Sequence, residues 1–321
     1  MSVMIGIDPH KALQAVCAID RHEAELAEVV VRSGSRQLSQ LLEWASPFAS
    51  RTWAIESASG LGYLLSQQLL AHGEVVVDVP ATLSSRARLL GSGRSNKNDA
   101  NDARSVAIAA LRAPSLAIVR VEDHVSVLRL LAKAQFDISH ARSRACSRLH
   151  ALVNELVAGG IGKEVVVNQG EQRLAAIQPG NAVQRQRLEL AHELLDEIRV
   201  LDERRKNSKR RIADAVAASA TSLTEIYGVG PIIAAIVIGY TAGITRFPSC
   251  GHYAAYNGTA PVEFSSSGRN VHRLSRRGNR TLNHAIHMIA VTQNATTAAK
   301  AERSTTPSSP PGAPDAKRCV P

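Results

Sequence analysis

The chain has 321 residues, which is long enough for two domains with cores of their own. Its net charge of +10 and pI of about 9.8 favour a polyanionic partner or an anionic membrane surface. No apolar run reaches membrane-spanning length and no signal peptide is recognisable, so we expect a cytoplasmic, nucleic-acid-binding protein without membrane contact. The four cysteines are far apart, which argues against a zinc site or a disulfide framework.

Strands and helices alternate over the first 120 residues. Three strands are predicted first, in "VMIGID", "LQAVCAID" and "AELAEVVVRSG", and form a meander. A helix in "SRQLSQLLEWASP", a strand in "TWAIES", a helix in "GLGYLLSQQLLAHG", a strand in "EVVVDVP" and a helix in "NKNDANDARSVAIAALRAP" follow. This order predicts an α/β domain with a mixed sheet, in the arrangement of the ribonuclease H-like fold.

Four acidic residues stand at the ends of these elements. Asp8 ends the first strand, Glu56 ends the fourth, and Asp99 and Asp102 lie three apart at the start of the last helix. The first and fourth strands should be neighbours, and a separation of three places both helical carboxylates on one face. Each acid alone could be a turn residue or a helix cap. Together they predict a site for two Mg²⁺ ions that acts on a phosphodiester.

The middle of the chain, 121–218, reads as a helical arm. Two amphipathic segments, at about 124–157 and 183–218, predict an antiparallel hairpin or a coiled-coil dimer arm. A cationic cluster lies near the end of the second segment and is either a nucleic-acid contact or a solvated face. Its members are Arg204, Arg205, Lys206, Lys209, Arg210 and Arg211.

The region 219–293 is predicted to be a small, mainly α-helical domain. In "YGVGPIIAAIVIGY", Gly228 and Gly230 could let backbone amides approach a phosphate, as in helix–hairpin–helix modules, although an ordinary turn has the same pattern. The Pro/Ser-rich tail, 294–321, is predicted to be disordered.

These motifs resemble those of the DEDD transposases of bacterial insertion sequences. "GIDPHK", "AIESASG" and "SNKNDANDAR" are similar to the family's three acidic motifs, and "GTAPVEFSSSGRNVHRLSRRGN" lies in a stretch that resembles its C-terminal transposase domain. The resemblance runs from residue 3 to about 293. It implies a RuvC-like catalytic domain at 1–120, a coiled-coil arm at 121–218 and a serine-bearing domain at 219–293.

The resemblance also implies the site residues and the partners. Asp8, Glu56, Asp99 and Asp102 would hold Mg²⁺, and a serine would be the nucleophile. Spacing from Pro261 favours Ser266, whereas adjacency to Gly268 favours Ser267, and we take Ser266 first. The implied partners are DNA (element ends and target), a structured non-coding RNA and further copies of the chain in a dimer or tetramer. Besides the cationic cluster and the two glycines, the expected nucleic-acid contacts are Arg94, Lys97, Arg269, Arg273, Arg276, Arg277 and Arg280.

Two other functions remain open at this stage. One is a RuvC-like metal-dependent nuclease or junction resolvase that cuts without a covalent step and has no use for the serine. The other is an inactive, truncated copy that only binds nucleic acid, as the short Pro/Ser-rich end suggests.

Overall fold

A mixed β-sheet organises the N-terminal part of the chain. The computed structural model describes residues 2–90, 99–162, 164–266, 269–275 and 277–305, and the chain divides into two compact units, Met1–Glu122 and Asp123–Pro321. Six strands form the sheet of the first unit in the order β3-β2-β1-β4-β5-β6. They are β1 (Ser2–Pro9), β2 (Leu13–Ile19), β3 (Glu25–Arg32), β4 (Ser50–Glu56), β5 (Val76–Val79) and β6 (Ala117–Ile118).

The strand directions are those of a ribonuclease H-like domain. β1, β2 and β3 form an antiparallel meander, whereas β4 runs parallel to β1 and β5 runs parallel to β4. The predicted meander and the predicted neighbourhood of the first and fourth strands are therefore confirmed. β6, which was not predicted, pairs antiparallel to β5 through only two residues.

Helices cover both faces of this sheet. They are α1 (Gln37–Trp44), α2 (Tyr63–Ala71), α3 (Ala81–Leu90) and α4 (Asp99–Arg112). One face of β1 packs with the cluster that includes Leu41, Trp53 and Leu65. On the other face, Ala103 and Ala107 of α4 pack against β2. Because side chains alternate along a strand, β1 is apolar on both sides, as expected for a central strand.

Gly6 sets the distance between β1 and α4. A Cβ atom at this position would lie 2.2 Å from the carbonyl oxygen of Ala103 and 2.5 Å from the backbone nitrogen of Ala107. Any side chain would therefore push α4 away from the sheet. The absence of a side chain at Gly6 is what allows the N-terminal half of α4 to lie directly over the end of β1.

The second unit begins with the predicted helical arm. α5 (His124–Asn154) and α7 (Ala182–Ala218) pack along their length, and the short α6 (Val167–Ala175) lies between them in sequence. The end of α5 packs against the start of α7, so the two helices form an antiparallel hairpin, which is one of the two arrangements that the sequence predicts. Arg142 donates two hydrogen bonds to Asp202, from Nε at 2.6 Å and from Nη2 at 3.1 Å, and this bidentate pair joins the two helices.

The remaining elements share a core with the arm. They are α8 (Pro231–Thr241), α9 (Cys250–Asn257), β7 (Pro261–Ser266), β8 (Arg269–Leu274) and α10 (Arg280–Thr305). Leu128 and Ile212 of the arm are buried in one cluster with Ala234 and Ala285, so the core crosses the boundary expected at 218/219. The described helices include none that is long and apolar enough to cross a membrane.

Two features of this region differ from the prediction. The β7–β8 hairpin occupies a stretch for which no strands were predicted. α10 continues to Thr305, so the tail predicted to be disordered from 294 is helical as far as the description extends. The physical reason is its composition, since "NATTAAKAERST" is rich in helix-forming Ala and has no proline. Residues 306–321 lie outside the described residues.

Candidate active site

Three of the four predicted acids line one cavity in the first unit. Asp8, Glu56 and Asp102 border a cavity of about 520 Å³ at the carboxyl end of β1 and β4. Ile7 of β1 pairs with Ile55 of β4, so the residues that follow them, Asp8 and Glu56, lie side by side near the carboxyl ends of these two strands. α4, held close to β1 at Gly6, brings Asp102 to the same edge.

Each of the three carboxylates has a partner of its own. Asp8 Oδ2 lies 3.2 Å from His10 Nε2. Glu56 Oε2 accepts a 2.7 Å hydrogen bond from the hydroxyl of Ser84. Asp102 Oδ1 accepts a hydrogen bond from Nη1 of Arg88. The three acids therefore lie in a polar, hydrogen-bonded environment.

Helix α3 supplies two of these partners and was missed from the sequence. Ser84 and Arg88 are four residues apart, so they lie one turn from each other on the same helical face. The adjacent face packs Leu83 and Ala87 against the core. Pro80 before the helix and the apolar spacing of Leu83, Ala87 and Leu90 are the signals that could have revealed it.

The charge of the cavity acts on Arg88. The hydrogen bond to Asp102 is the largest effect that raises the pKa of Arg88 above its ordinary value, followed by the charge of Asp102. The charges of Glu56 and Asp8 raise the pKa in the same direction. All three acids therefore act on one guanidinium group.

A tight turn fixes the end of β4 next to Glu56. Ser57, which lines the cavity, has a left-handed backbone with φ of 51°. Its N–H donates to the carbonyl of Val79, and the N–H of Ala58 donates to Asp78 Oδ1 at 2.8 Å. Positive φ at a non-glycine residue is held by the surrounding bonds and is common next to functional groups.

The donor chemistry of the cavity fits a hard divalent cation. Carboxylate oxygens are the ligands that Mg²⁺ prefers, and the cavity gathers three carboxylates from three elements. In the described part of the chain, however, no three His, Cys, Asp or Glu side chains lie close enough to hold a metal ion as they stand. Arg88 supplies the positive charge within this acidic cavity.

Several predicted site residues fall on parts of the chain that are not described in full. Asp99 is the first residue of α4, but its side chain lies outside the description. The same is true of the side chains of Ser266, the last residue of β7, and Arg269, which is its register partner in β8. Residues that lie outside the description altogether are Arg94, Lys97, Ser267 and Arg276.

The cationic cluster of the arm lies on the surface of α7. Five of its six members are exposed, and Arg205 is half-buried. Within the described residues, Arg205 is also the only member with an ion pair, 3.3 Å from Asp202. Arg205, Lys206 and Lys209 border a groove of about 540 Å³ beside the start of α6. This part of α7 therefore presents positive charge to its surroundings.

The glycine segment and the C-terminal arginines lie in the second unit. Gly228 has φ of 87° and approaches α10, where an added Cβ would lie 3.4 Å from the carbonyl of Ile289. It therefore serves a tight turn packed on α10, and Gly230 is the N-cap of α8. A single 3-10 turn precedes this segment, where a helix–hairpin–helix module would have a helix. Arg273, Arg277 and Arg280 are exposed.

Comparison with known families gives two matches in the expected order. Residues 5–158 match the transposase family model DEDD_Tnp_IS110, and 220–304 match the transposase family IS116/IS110/IS902. The chain belongs to the IS110/IS116 family of transposases. The resemblance drawn from the acidic motifs and the C-terminal segment is thereby confirmed.

Individual relatives agree with this assignment. The transposase is 26% identical to "Insertion element IS116 uncharacterized 44.8 kDa protein" of Streptomyces clavuligerus, over 90% of this chain and 84% of that protein. It is also 26% identical to "Probable family 20 transposase" of Pseudomonas aeruginosa, over 85% of this chain and 79% of that protein.

Solved structures of a RuvC protein are similar to part of the transposase. T. thermophilus RuvC in complex with a Holliday junction substrate covers 37% of this chain and 100% of its own, with 16% identity and a TM-score of 0.30. A second structure, "Thermus thermophilus RuvC structure", covers 36% of this chain and 99% of its own, with 16% identity and a TM-score of 0.29. The assignment of the fold rests on the strand order and directions described above.

Proposed function

We propose that this transposase cuts and rejoins DNA at a Mg²⁺ site held by Asp8, Glu56, Asp99 and Asp102, with Ser266 as the nucleophile. The observation that supports it best is the convergence of three carboxylates, from β1, β4 and α4, on one cavity. The i, i+3 spacing of Asp99 and Asp102 on α4 supports adding the fourth acid.

The acids and their neighbours have distinct tasks in this proposal. Bound Mg²⁺, with two ions expected, would activate the nucleophile and stabilise the negative charge on the leaving oxygen. Asp8 and Glu56 hold their carboxylates at a fixed sheet edge. The hydroxyl of Ser84 orients the carboxylate of Glu56 through the 2.7 Å hydrogen bond. Ordered carboxylates lower the reorganisation needed when charge develops during the reaction.

The serine makes the reaction an exchange instead of a hydrolysis. Ser266 Oγ attacks a DNA phosphate, so one P–O bond to the serine forms while one P–O bond to a deoxyribose oxygen breaks. The serine proton is released, and the leaving oxygen gains a proton to become a hydroxyl group. A second DNA hydroxyl then attacks the phosphoserine and restores the serine. Ser266 is favoured over Ser267 by its spacing from Pro261 in the motif.

Nucleic-acid binding is assigned to the cationic surfaces. The exposed cluster on α7 and the exposed arginines that follow β7 suit phosphate contact, and the net charge of +10 agrees with a polyanionic partner. By resemblance to the family, the partners are the element ends, the target DNA and an element-encoded non-coding RNA, bound by a homo-oligomer. The competing proposal, a nuclease without a covalent step, uses the same acids but water in place of Ser266.

The metal site predicts a specific effect of Asp102→Asn. Loss of one carboxylate ligand should reduce Mg²⁺-dependent strand exchange on the order of 10³-fold, because several kcal/mol of charge stabilisation is removed at the reacting phosphate. DNA affinity should stay within about twofold, since no cationic contact is lost. Exchange of labelled DNA ends and a filter-binding assay measure the two quantities.

Glu28→Gln is the matched control for this variant. Glu28 is an exposed carboxylate on β3 of the same sheet, so its substitution makes the same charge change outside the cavity. Equal activities of the two variants would contradict the assignment of Asp102 to the metal site.

The nucleophile is tested by comparing Ser266→Ala with Ser267→Ala. Ser266→Ala should lose the covalent protein–DNA adduct, seen as a denaturant-resistant band, together with recombination. Ser267→Ala should retain both. Adducts lost only in Ser267→Ala would move the nucleophile by one residue. DNA cleavage by the double variant without an adduct and without rejoining would make water the nucleophile and favour the nuclease.

The cationic cluster predicts a change in salt dependence. Substitution of both Lys206 and Lys209 by Gln should flatten the slope of log affinity against log salt concentration, by up to roughly 1.8, because each phosphate contact contributes about 0.9. The control is the double substitution of Arg21 and Arg36, which are exposed cations of the first unit. If both double variants give the same slope, the cluster on α7 is a solvated face.

A further inference from the structure

Arg88 is a cation that lines the cavity formed by the acids Asp8, Glu56 and Asp102. It lies on α3 one turn after Ser84, and the two residues contact two of the three described acids of the cavity, Asp102 and Glu56. The Asp102 side chain is only 10% exposed, whereas that of Arg88 is 34% exposed. The guanidinium therefore reaches from the rim of the cavity to a nearly buried carboxylate.

The bond between Arg88 and Asp102 occupies one of the two carboxylate oxygens that a metal ion could use. Asp102 Oδ1 accepts the hydrogen bond from Nη1 of Arg88. A divalent cation bound to this carboxylate would bring two positive charges close to the guanidinium, and the repulsion between them is strong in a cavity that is partly shielded from water. The pair and the metal–carboxylate bond therefore weaken each other in this geometry.

We propose that Arg88 competes with the divalent cation for Asp102, so that binding of the metal and release of the Arg88 guanidinium are one event. This inference rests on the proposed metal site and adds a residue that sets its affinity. It also accounts for the described carboxylates lying along one cavity without forming a compact ligand group. The hydrogen bond from Arg88 holds the Asp102 carboxylate toward α3. One turn earlier on α3, the hydrogen bond from Ser84 to Glu56 fixes the helix to the end of β4.

The size of the effect follows from removal of one nearby positive charge. In Arg88→Gln, the three acids lose their shared counter-charge, and the cavity becomes more attractive to a cation. A unit charge about 4 to 6 Å from a divalent ion changes affinity by roughly ten- to thirtyfold even at the dielectric constant of water, which is a lower bound for a partly shielded cavity. We therefore expect Arg88→Gln to bind Mn²⁺, used as a probe for Mg²⁺, at least about tenfold more tightly than the wild type does.

Isothermal titration of the full chain with Mn²⁺ tests the competition. The matched control is Arg86→Gln, because Arg86 lies on the same helix, is exposed, and has the same charge. Arg88→Gln should gain affinity while Arg86→Gln stays near the wild type. If all three proteins bind Mn²⁺ equally, or Arg88→Gln binds more weakly, the competition is wrong and the metal site stands. If none of them binds Mn²⁺, both the competition and the proposed metal site are wrong.

A measurement on the unaltered protein covers the case in which the variant fails to fold. With ¹⁵N-labelled arginine, the side-chain Nε–H signal of Arg88 can be assigned by its absence in Arg88→Lys and followed as Mg²⁺ is added. If Arg88 and the metal ion compete, the chemical shift of the Arg88 Nε–H signal should change with the fraction of the metal site that is occupied. The chemical shift of the Arg86 signal should stay unchanged. An unchanged Arg88 signal at saturating Mg²⁺ would overturn the proposal.

Discussion

The close approach of α4 to β1 is the constraint on which the site depends. With no side chain at Gly6, the backbone of α4 lies against the strand, and Asp102 reaches the sheet edge where Asp8 and Glu56 emerge. The parallel pairing of β1 and β4 sets the second condition, because it brings two strand ends to one edge. Three residues that are distant in sequence thus share one cavity through two backbone contacts.

The sequence allowed the sheet and the acids to be predicted because both leave periodic or positional signals. Asp8 and Glu56 could be singled out because they stand at the ends of predicted strands. The order of the elements indicated that these two strands are neighbours in the sheet. The partners of the acids were not predictable in the same way, because Ser84 and Arg88 lie on α3, a short segment with weak periodicity. The β7–β8 hairpin was also missed, since a serine-rich stretch reads as a turn when its cross-strand partners are unknown.

The second unit presents positive charge on its surface, whereas the first unit gathers negative charge in a cavity. The chain carries a net charge of +10, and the exposed cluster on α7 contributes to it on the second unit. In the first unit, acids gather in a cavity with one guanidinium among them. A basic surface attracts the polyanion over a distance, whereas an acidic cavity repels phosphate until a cation neutralises it. Under the proposed function, a bound cation would therefore be a condition for the phosphate to approach the acids.

Anomalous diffraction can show whether the carboxylates of Asp8, Glu56 and Asp102 bind a divalent metal ion. Crystals of the transposase grown with Mn²⁺ would be measured at the manganese absorption edge, where each bound ion gives a peak of its own. We expect at least one manganese peak within about 2.3 Å of carboxylate oxygens of Asp8, Glu56 or Asp102. A map with manganese peaks elsewhere and none in this cavity would contradict it.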